Sequence, residues 1–182
     1  MASASTRTIT LSGRIGSLQL GVSTQAAVEA VLGAPESEAE ISTNPGYAPA
    51  KALGYECSDQ MTSGRQPVGA GGPPYCRTAY YIDAATGVLG GFWTVSSNYA
   101  TSHGTRVGTH TQIAARRERR PAVSGCLSGI SENSRSASLF ITIQGGRTEL
   151  STGPNPALHI IGGRVVSIAI ERHDDPVGIL FC

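Results

Sequence analysis

A short helix with clear start and stop signals lies near the beginning of the chain, and its repetition further along constrains the fold more than any other feature. In residues 17–35, Ser23 or Thr24 can cap the helix, and Gly33 with Pro35 ends it. The predicted apolar face of this helix consists of Ala27, Val28, Val31 and Leu32. None of these residues carries chemistry, so the stretch predicts architecture before function.

A weaker copy of this stretch opens the second half of the chain, at residues 103–115. Gly108 corresponds to Gly21 and Thr111 to Thr24, in the same register. Recurrence of residues together with their start and stop signals indicates duplication of one structural unit.

The composition favours many short strands joined by turns, because the chain has 23 glycines and 10 prolines in 182 residues. With the duplication, this predicts an α+β fold of two similar halves. Each half would have a short helix or helix pair packed on an antiparallel sheet of about four strands. The predicted units are residues 7–100 and 101–182, preceded by a loose N-terminus at residues 1–6.

Two turns are predicted to close hairpins. In the first, Asp83 can accept hydrogen bonds within the turn and Gly87 can adopt a positive φ. In the second, Gly162 with Gly163 would join strands at residues 158–161 and 164–171 into a hairpin. The acidic run at residues 36–40 is interpreted as a solvated turn.

Aromatic side chains concentrate on or just beyond the first hairpin. The candidate binding surface consists of Tyr80, Tyr81, Phe92, Trp93 and Tyr99. Because neighbours in a strand point to opposite faces, one of each adjacent pair should be buried, and the other should face outward or toward the second half. An outward aromatic face would suit a protein partner, whereas core packing is the alternative for the same side chains.

Four cysteines without a C-x-x-C pair favour disulfides over a zinc site. More than one pairing is open to them. We predict Cys57–Cys76 and Cys126–Cys182, because these bonds keep each pair within one repeat-like unit. Four unrelated buried thiols in a cytosolic protein are the alternative. Disulfides would place the protein outside the cytoplasm, as a secreted, periplasmic or cell-envelope protein.

The chain has no apolar run of about 18 residues, so no membrane span is predicted. Its start lacks the features of a secretory signal, which is compatible with a leader, and even a lipid anchor, absent from this sequence. A formal net charge of +1 argues against nucleic acid as a partner. Residues 116–120 are four arginines interrupted by Glu118; we interpret them as a solvated face favoured at a helix C-terminus, with an anion site as the alternative.

The motifs Leu20 to Thr24 with Gly33 to Pro35, and Tyr81 to Asp83 with Thr86 to Gly87, resemble a known pattern. They are similar to the tandem-repeat fold of the beta-lactamase inhibitor proteins and of the related outer-membrane assembly lipoproteins of the SmpA/OmlA type. The resemblance implies that the first motif enters a helix and the second forms a sheet hairpin. It also implies the scaffold of a protein-binding module. The loop with which the inhibitors enter the active site of the enzyme has no residue-by-residue match in this sequence.

No convincing catalytic or metal-binding set is apparent, so neither a metal nor a cofactor is predicted. We predict a non-catalytic module that binds another, unidentified protein outside the cytoplasm. One alternative is a small extracytoplasmic hydrolase built on His103 or His110, with a serine and Asp83 as further members of the set. The other is a structural subunit of an envelope or particle assembly, for which an exposed strand edge would be the sign.

Overall fold

The computed structural model describes residues 6–41, 49–58, 76–119, 122–123, 126–127, 137–145, 147–150 and 158–172. Within these ranges there are two helices, α1 (Gln25–Leu32) and α2 (Thr111–Glu118). The strands are β1 (Arg7–Ile9), β2 (Arg14–Ile15), β3 (Leu18–Gln19), β4 (Ser37–Ile41), β5 (Ala50–Cys57), β6 (Cys76–Asp83), β7 (Leu89–Thr94), β8 (Tyr99–Thr101), β9 (Ala122–Val123), β10 (Cys126–Leu127), β11 (Ala137–Gln144), β12 (Arg147–Leu150), β13 (Leu158–Ile161) and β14 (Arg164–Arg172).

Ten of the described strands form one continuous sheet, which we call the long sheet, in the order β12-β13-β9-β10-β11-β14-β7-β6-β5-β4. The other four form the small sheet, β3-β2-β1-β8, in which β1 and β8 run parallel. The pairing of β14 with β7, in the middle of the long sheet, joins β4–β7 to the strands from the later part of the chain, with Ala169 opposite Trp93 and Ile170 opposite Phe92. Strands from both parts of the chain therefore share one sheet.

The prediction of an α+β fold with two similar halves is wrong. The described structure is mostly strand, with only two eight-residue helices, and its sheets do not separate into one per half. The physical reason is that β7 and β14 would each leave an unpaired backbone edge if the halves were separate, and pairing satisfies both edges. The division into units at residues 7–100 and 101–182 stays a prediction.

Both helices start close to where the sequence places them. Thr24 caps α1, with its side-chain oxygen accepting from the Ala27 N–H at 3.4 Å, and Gly33 ends it at φ +87°. The cap of α2 is His110, without a side-chain cap bond, and Thr111 is instead buried as the first helical residue. The correspondence of Thr111 with Thr24 therefore does not extend to capping, because the cap of α2 is one position earlier.

The two helix entries are attached to the long sheet in the same way. The Gly21 N–H donates to the Leu89 carbonyl at 2.8 Å, and the Gly108 N–H donates to the Val165 carbonyl at 2.8 Å. Val28 of α1 and the corresponding inward residue of α2, Ala114, belong to one hydrophobic cluster with the sheet. Both helices therefore pack on the same face of the long sheet, which we call the helix face.

Of the two predicted hairpins, only the first forms as expected. Asp83 Oδ1 accepts the N–H groups of Ala85 and Thr86 at 2.7 and 3.1 Å, and Gly87 has φ +71°. Gly162 and Gly163 do adopt positive φ, but β13 pairs with β12 and β9, while β14 pairs with β11 and β7. The two glycines therefore form a turn, but the strands before and after it pair with other strands of the long sheet and not with each other.

The acidic run interpreted as a solvated turn is instead strand β4, the last strand of the long sheet on that side. Its partner is β5, with Ile41 opposite Ala50 and Glu38 opposite Leu53. Alternation buries Ile41 and exposes Glu38 and Glu40. Charged side chains on an edge strand discourage further strand pairing.

A disulfide joins Cys57 and Cys76, which lie opposite each other on β5 and β6, and this prediction is confirmed. Next to it Glu56 has φ +56°, and the Glu36 carboxylate accepts the backbone N–H groups of Glu56 and Cys57, both at 3.0 Å. The carboxylate thereby satisfies two amides at a kink in the strand. The predicted Cys126–Cys182 bond lies outside the described residues.

Replacing both Cys57 and Cys76 with serine should lower the free energy of unfolding by about 3 kcal/mol, because the bond closes a loop in the unfolded chain. Urea unfolding of the double variant and of the oxidised wild type measures the difference. Reduced wild-type protein is a second comparison and should be destabilised at least as much as the variant, because reduction also breaks any other disulfide of the chain. An unchanged urea midpoint in both would contradict a structural role for this bond.

Candidate functional site

Three of the five aromatic candidates lie in the hydrophobic cluster under the helices. The Phe92 ring lies 4.9 Å, centroid to centroid, from both the Tyr80 and the Tyr99 rings, and the Tyr80 and Tyr99 hydroxyls are 3.1 Å apart. Tyr55 packs edge-on against Tyr80, and its hydroxyl donates to the Gly33 carbonyl at 3.2 Å. Burial raises the pKa of Tyr80 and Tyr99, and raises that of Tyr55 to about 12.

The other two candidates, Tyr81 and Trp93, lie on the opposite face of the long sheet. They form a second cluster whose described members lie in strands of the long sheet or directly after one of them. Several of these members are small, such as Ala52, Ala79 and Ala169. The Tyr81 hydroxyl is buried and makes no hydrogen bond in the described structure. Burial raises the pKa of Tyr81 well above its ordinary value.

Neither member of the two adjacent aromatic pairs faces outward; of the two expected alternatives, Tyr81 and Trp93 instead pack with Ala169 and Phe140 from the second half of the chain. Tyr80, Tyr81 and Phe92 are completely buried, and Trp93 and Tyr99 are 3% and 1% exposed. Alternation does place neighbours on opposite faces, but both faces of the sheet are covered here. These five side chains belong to the core, so a binding surface must be sought among other residues.

A buried carboxylate connects the last turn of α2 to the loop before it. Glu118, with a side chain 2% exposed, accepts from the Thr101 hydroxyl at 2.6 Å and lies 2.8 Å from Nδ1 of His103. The backbone N–H of Thr105 donates to the Thr101 hydroxyl at 3.1 Å, so the loop is ordered around the same group. The carboxylate orients the His103 ring and leaves its other nitrogen toward the exposed side.

Because the Glu118 side chain points inward, it does not offset the positive charge on the outer side of α2. Four exposed arginines surround the outside of α2, and we call them the arginine surface: Arg106, Arg116, Arg117 and Arg119. Within the described ranges none of them forms an ion pair. Arg117 and Arg116 donate instead to backbone carbonyls, of Gly104 at 2.6 Å and of Gln112 at 3.3 Å.

This arrangement was missed from the sequence, where Glu118 was interpreted as interrupting a charged run. A usable signal was present, because position 118 falls on the same helix side as Thr111 and Ala114, at helical spacing. All three side chains are buried. The one acidic residue of the run is therefore part of the interior.

Acidic side chains cluster around α1 and β4, away from α2. We call Glu29, Glu38 and Glu40 the acidic end. Glu38 pairs with Lys51 at 2.7 Å, and Gln25 Nε2 donates to both Glu29 and Glu38, at 2.7 and 3.4 Å. The hydrogen bond with Glu38, followed by the charges of Glu38, Glu40 and Glu29, raises the pKa of Lys51. Lys51 balances only one of the three carboxylates.

The remaining catalytic candidates are separated. Asp83 serves the β6–β7 turn, His103 pairs with Glu118, and His110 is an exposed helix cap. The described residues contain no group of three His, Cys, Asp or Glu side chains able to hold a metal ion. The described helices also lack the length and hydropathy of a membrane crossing.

The fold and this surface define a β-sheet protein with two short helices on one face of a long sheet and opposite charges near the two helices. The chain is similar in structure to the uncharacterized protein yfeY from Escherichia coli, with a TM-score of 0.53 and 13% sequence identity. The likeness covers 91% of this chain and 99% of yfeY. At this identity it concerns the fold alone. No protein-family model and no curated protein matches the sequence.

The two adjacent tyrosines of β6 should respond differently to loss of the hydroxyl. Tyr81→Phe should leave stability unchanged or slightly raised, because its hydroxyl is buried without a partner. Tyr80→Phe should cost about 1 kcal/mol, because it removes the hydrogen bond with Tyr99. Urea unfolding measures both, each variant being the other's control, and a larger loss for Tyr81→Phe than for Tyr80→Phe would contradict this assignment.

Proposed function

We propose that this chain is a non-catalytic module that binds another protein outside the cytoplasm, and that it does so through the arginine surface. The observation that carries the proposal is the inward Glu118, which leaves four arginines exposed and without an ion pair in the part of the chain that the structure describes. Arginine is enriched at protein interfaces because its planar group makes several hydrogen bonds at once and is weakly hydrated. A partner with surface carboxylates would provide the missing acceptors.

The Cys57–Cys76 disulfide supports the proposed compartment. Structural disulfides persist in oxidising environments and are rare in the cytosol. This bond lies in a paired region of the long sheet, between β5 and β6, rather than at a reactive pair of cysteines. The proposal includes a secreted, periplasmic or envelope location. It also includes a scaffold similar to that of the beta-lactamase inhibitor proteins.

The surface is suited to recognition because Arg117 and the loop beside it are held in place. Arg117 is fixed by the Gly104 carbonyl, and the neighbouring Glu118 holds His103 and Thr101, so the helix end and the loop form one unit. Preorganised side chains lose less conformational entropy on binding. Arg116, in the last turn of α2, and Arg119, which directly follows the helix, are both exposed.

Reversing two charges tests this proposal. Wild-type protein should bind immobilised poly-glutamate, with affinity that falls as salt is added because exposed charges are screened. The variant Arg116→Glu/Arg119→Glu should bind at least about tenfold more weakly, which corresponds to about 1.4 kcal/mol. Surface plasmon resonance across a salt series measures both. Arg117 is left intact because it holds the loop.

The matched control is Arg14→Glu/Arg77→Glu, which reverses two exposed arginines on other strands and changes the net charge equally. It should keep most of the affinity for poly-glutamate. Equal losses in the two variants would mean that only the overall charge matters, and would refute a specific surface. Tighter binding of the wild type to a sulfated polysaccharide than to poly-glutamate would argue against a protein partner.

An enzyme is the second candidate, favoured by the His103–Glu118 pair. A carboxylate on Nδ1 is how catalytic histidines are oriented, leaving Nε2 to act as a base. In the described structure no hydroxyl or thiol hydrogen-bonds to Nε2. If this alternative holds, wild-type protein should hydrolyse p-nitrophenyl acetate or p-nitrophenyl phosphate, and His103→Ala should abolish the turnover. Turnover that survives His103→Ala would contradict it.

A further inference from the structure

We propose that the protein bound by the arginine surface is a second copy of this chain, in a dimer that places the acidic end of each copy on the arginine surface of the other. The inference rests on the proposed function and names its partner. Three observations lead to it: the opposite charges of the two helix regions, an unusual outer side of α1, and the position of both helices on one face of the long sheet.

The charges are complementary in sign. The acidic end carries three carboxylates against one lysine, and the arginine surface carries four guanidinium groups with its one carboxylate buried. Among the described residues, the charges of neither region are balanced within the same copy, while a neighbouring copy would offer the opposite charges.

The outer side of α1 is apolar where an exposed helix is ordinarily charged. Ala26, Ala30 and Val31 are exposed, and Val31 keeps 45% of its accessible surface. Val31 was predicted to lie on the buried side of the helix, so its exposure corrects that prediction. Among the residues of α1 only Gln25 and Glu29 are polar. A helix with apolar residues on its solvent side is expected to be covered.

In the proposed dimer both contacts would form at once, because the two helices lie toward opposite ends of one face of the long sheet. α1 contacts the β4–β5 side of the long sheet, where Tyr55 bonds to Gly33, and α2 contacts β9, β13 and β14. Both helices lie on the helix face, toward opposite ends of the strand order. If two copies meet face to face about a two-fold axis, α1 of each copy lies on α2 of the other. The same contact then occurs twice and the assembly closes as a dimer.

Charge-swapped variants test the proposal. One variant, Arg116→Glu/Arg119→Glu, makes the arginine surface acidic, and the other, Glu29→Lys/Glu40→Lys, makes the acidic end basic. Glu38 is left in its pair with Lys51, and Glu36 is left on the backbone amides of β5. Sedimentation velocity at about 100 μM and low salt measures the mass of each variant alone and of the mixture, since a weak dimer has a Kd in this range.

The wild type should sediment as a dimer at low salt and shift toward the monomer at about 0.5 M salt, where surface charges are screened. Each swapped variant alone should be monomeric, because like charges would face each other in both contacts. The equimolar mixture should recover a dimer of one copy of each, because both contacts again join opposite charges. Circular dichroism of the separate variants checks that each is folded.

The control is Arg77→Glu, on the face of the long sheet opposite the helices, and it should remain dimeric. A wild type that stays monomeric while it binds poly-glutamate through the arginine surface would overturn the dimer and leave the proposed function standing. Loss of both properties would overturn both. A dimer that persists in each swapped variant would show a different interface, and particles that grow beyond a dimer would contradict the closed two-fold arrangement.

Discussion

The antiparallel pairing of β7 with β14 is the interaction on which the rest of this structure depends. It joins strands from the two parts of the chain into one sheet and removes two edges that would otherwise be exposed. It also aligns Phe92 with Ile170 and Trp93 with Ala169, so that one apolar layer forms on each face. The two helices can share a single core because the sheet beneath them is continuous.

The burial of Glu118 shows how an internal polar contact can determine the character of a surface. Removing a carboxylate from water is costly unless it is well hydrogen-bonded, and Thr101 and His103 supply those bonds. The carboxylate cannot then neutralise the arginines on the outer side of the same helix. The helix end carries an excess of positive charge although its sequence is mixed in sign.

The aromatic residues show why strand alternation alone did not predict that both faces of β6 and β7 are covered. Residues 79–82 of β6 form an unbroken apolar run, which is typical of a strand covered on both faces, whereas alternation is typical of a strand with one wet face. The residues of β6 from Thr78 onward and all residues of β7 are buried. The adjacent pairs Tyr80 with Tyr81 and Phe92 with Trp93 therefore serve two cores rather than one core and one surface.

The sequence alone determined the features that depend on near neighbours: the Thr24 cap, the Gly33 stop and the Asp83 turn. These follow from backbone geometry and hydrogen bonds within a few residues. Only the tertiary structure decided which strands pair across the chain, which faces of the sheet are covered, and that Glu118 points inward. Those outcomes depend on residues that are far apart in the sequence, because such residues pair along the same strand edges and fill the same interior.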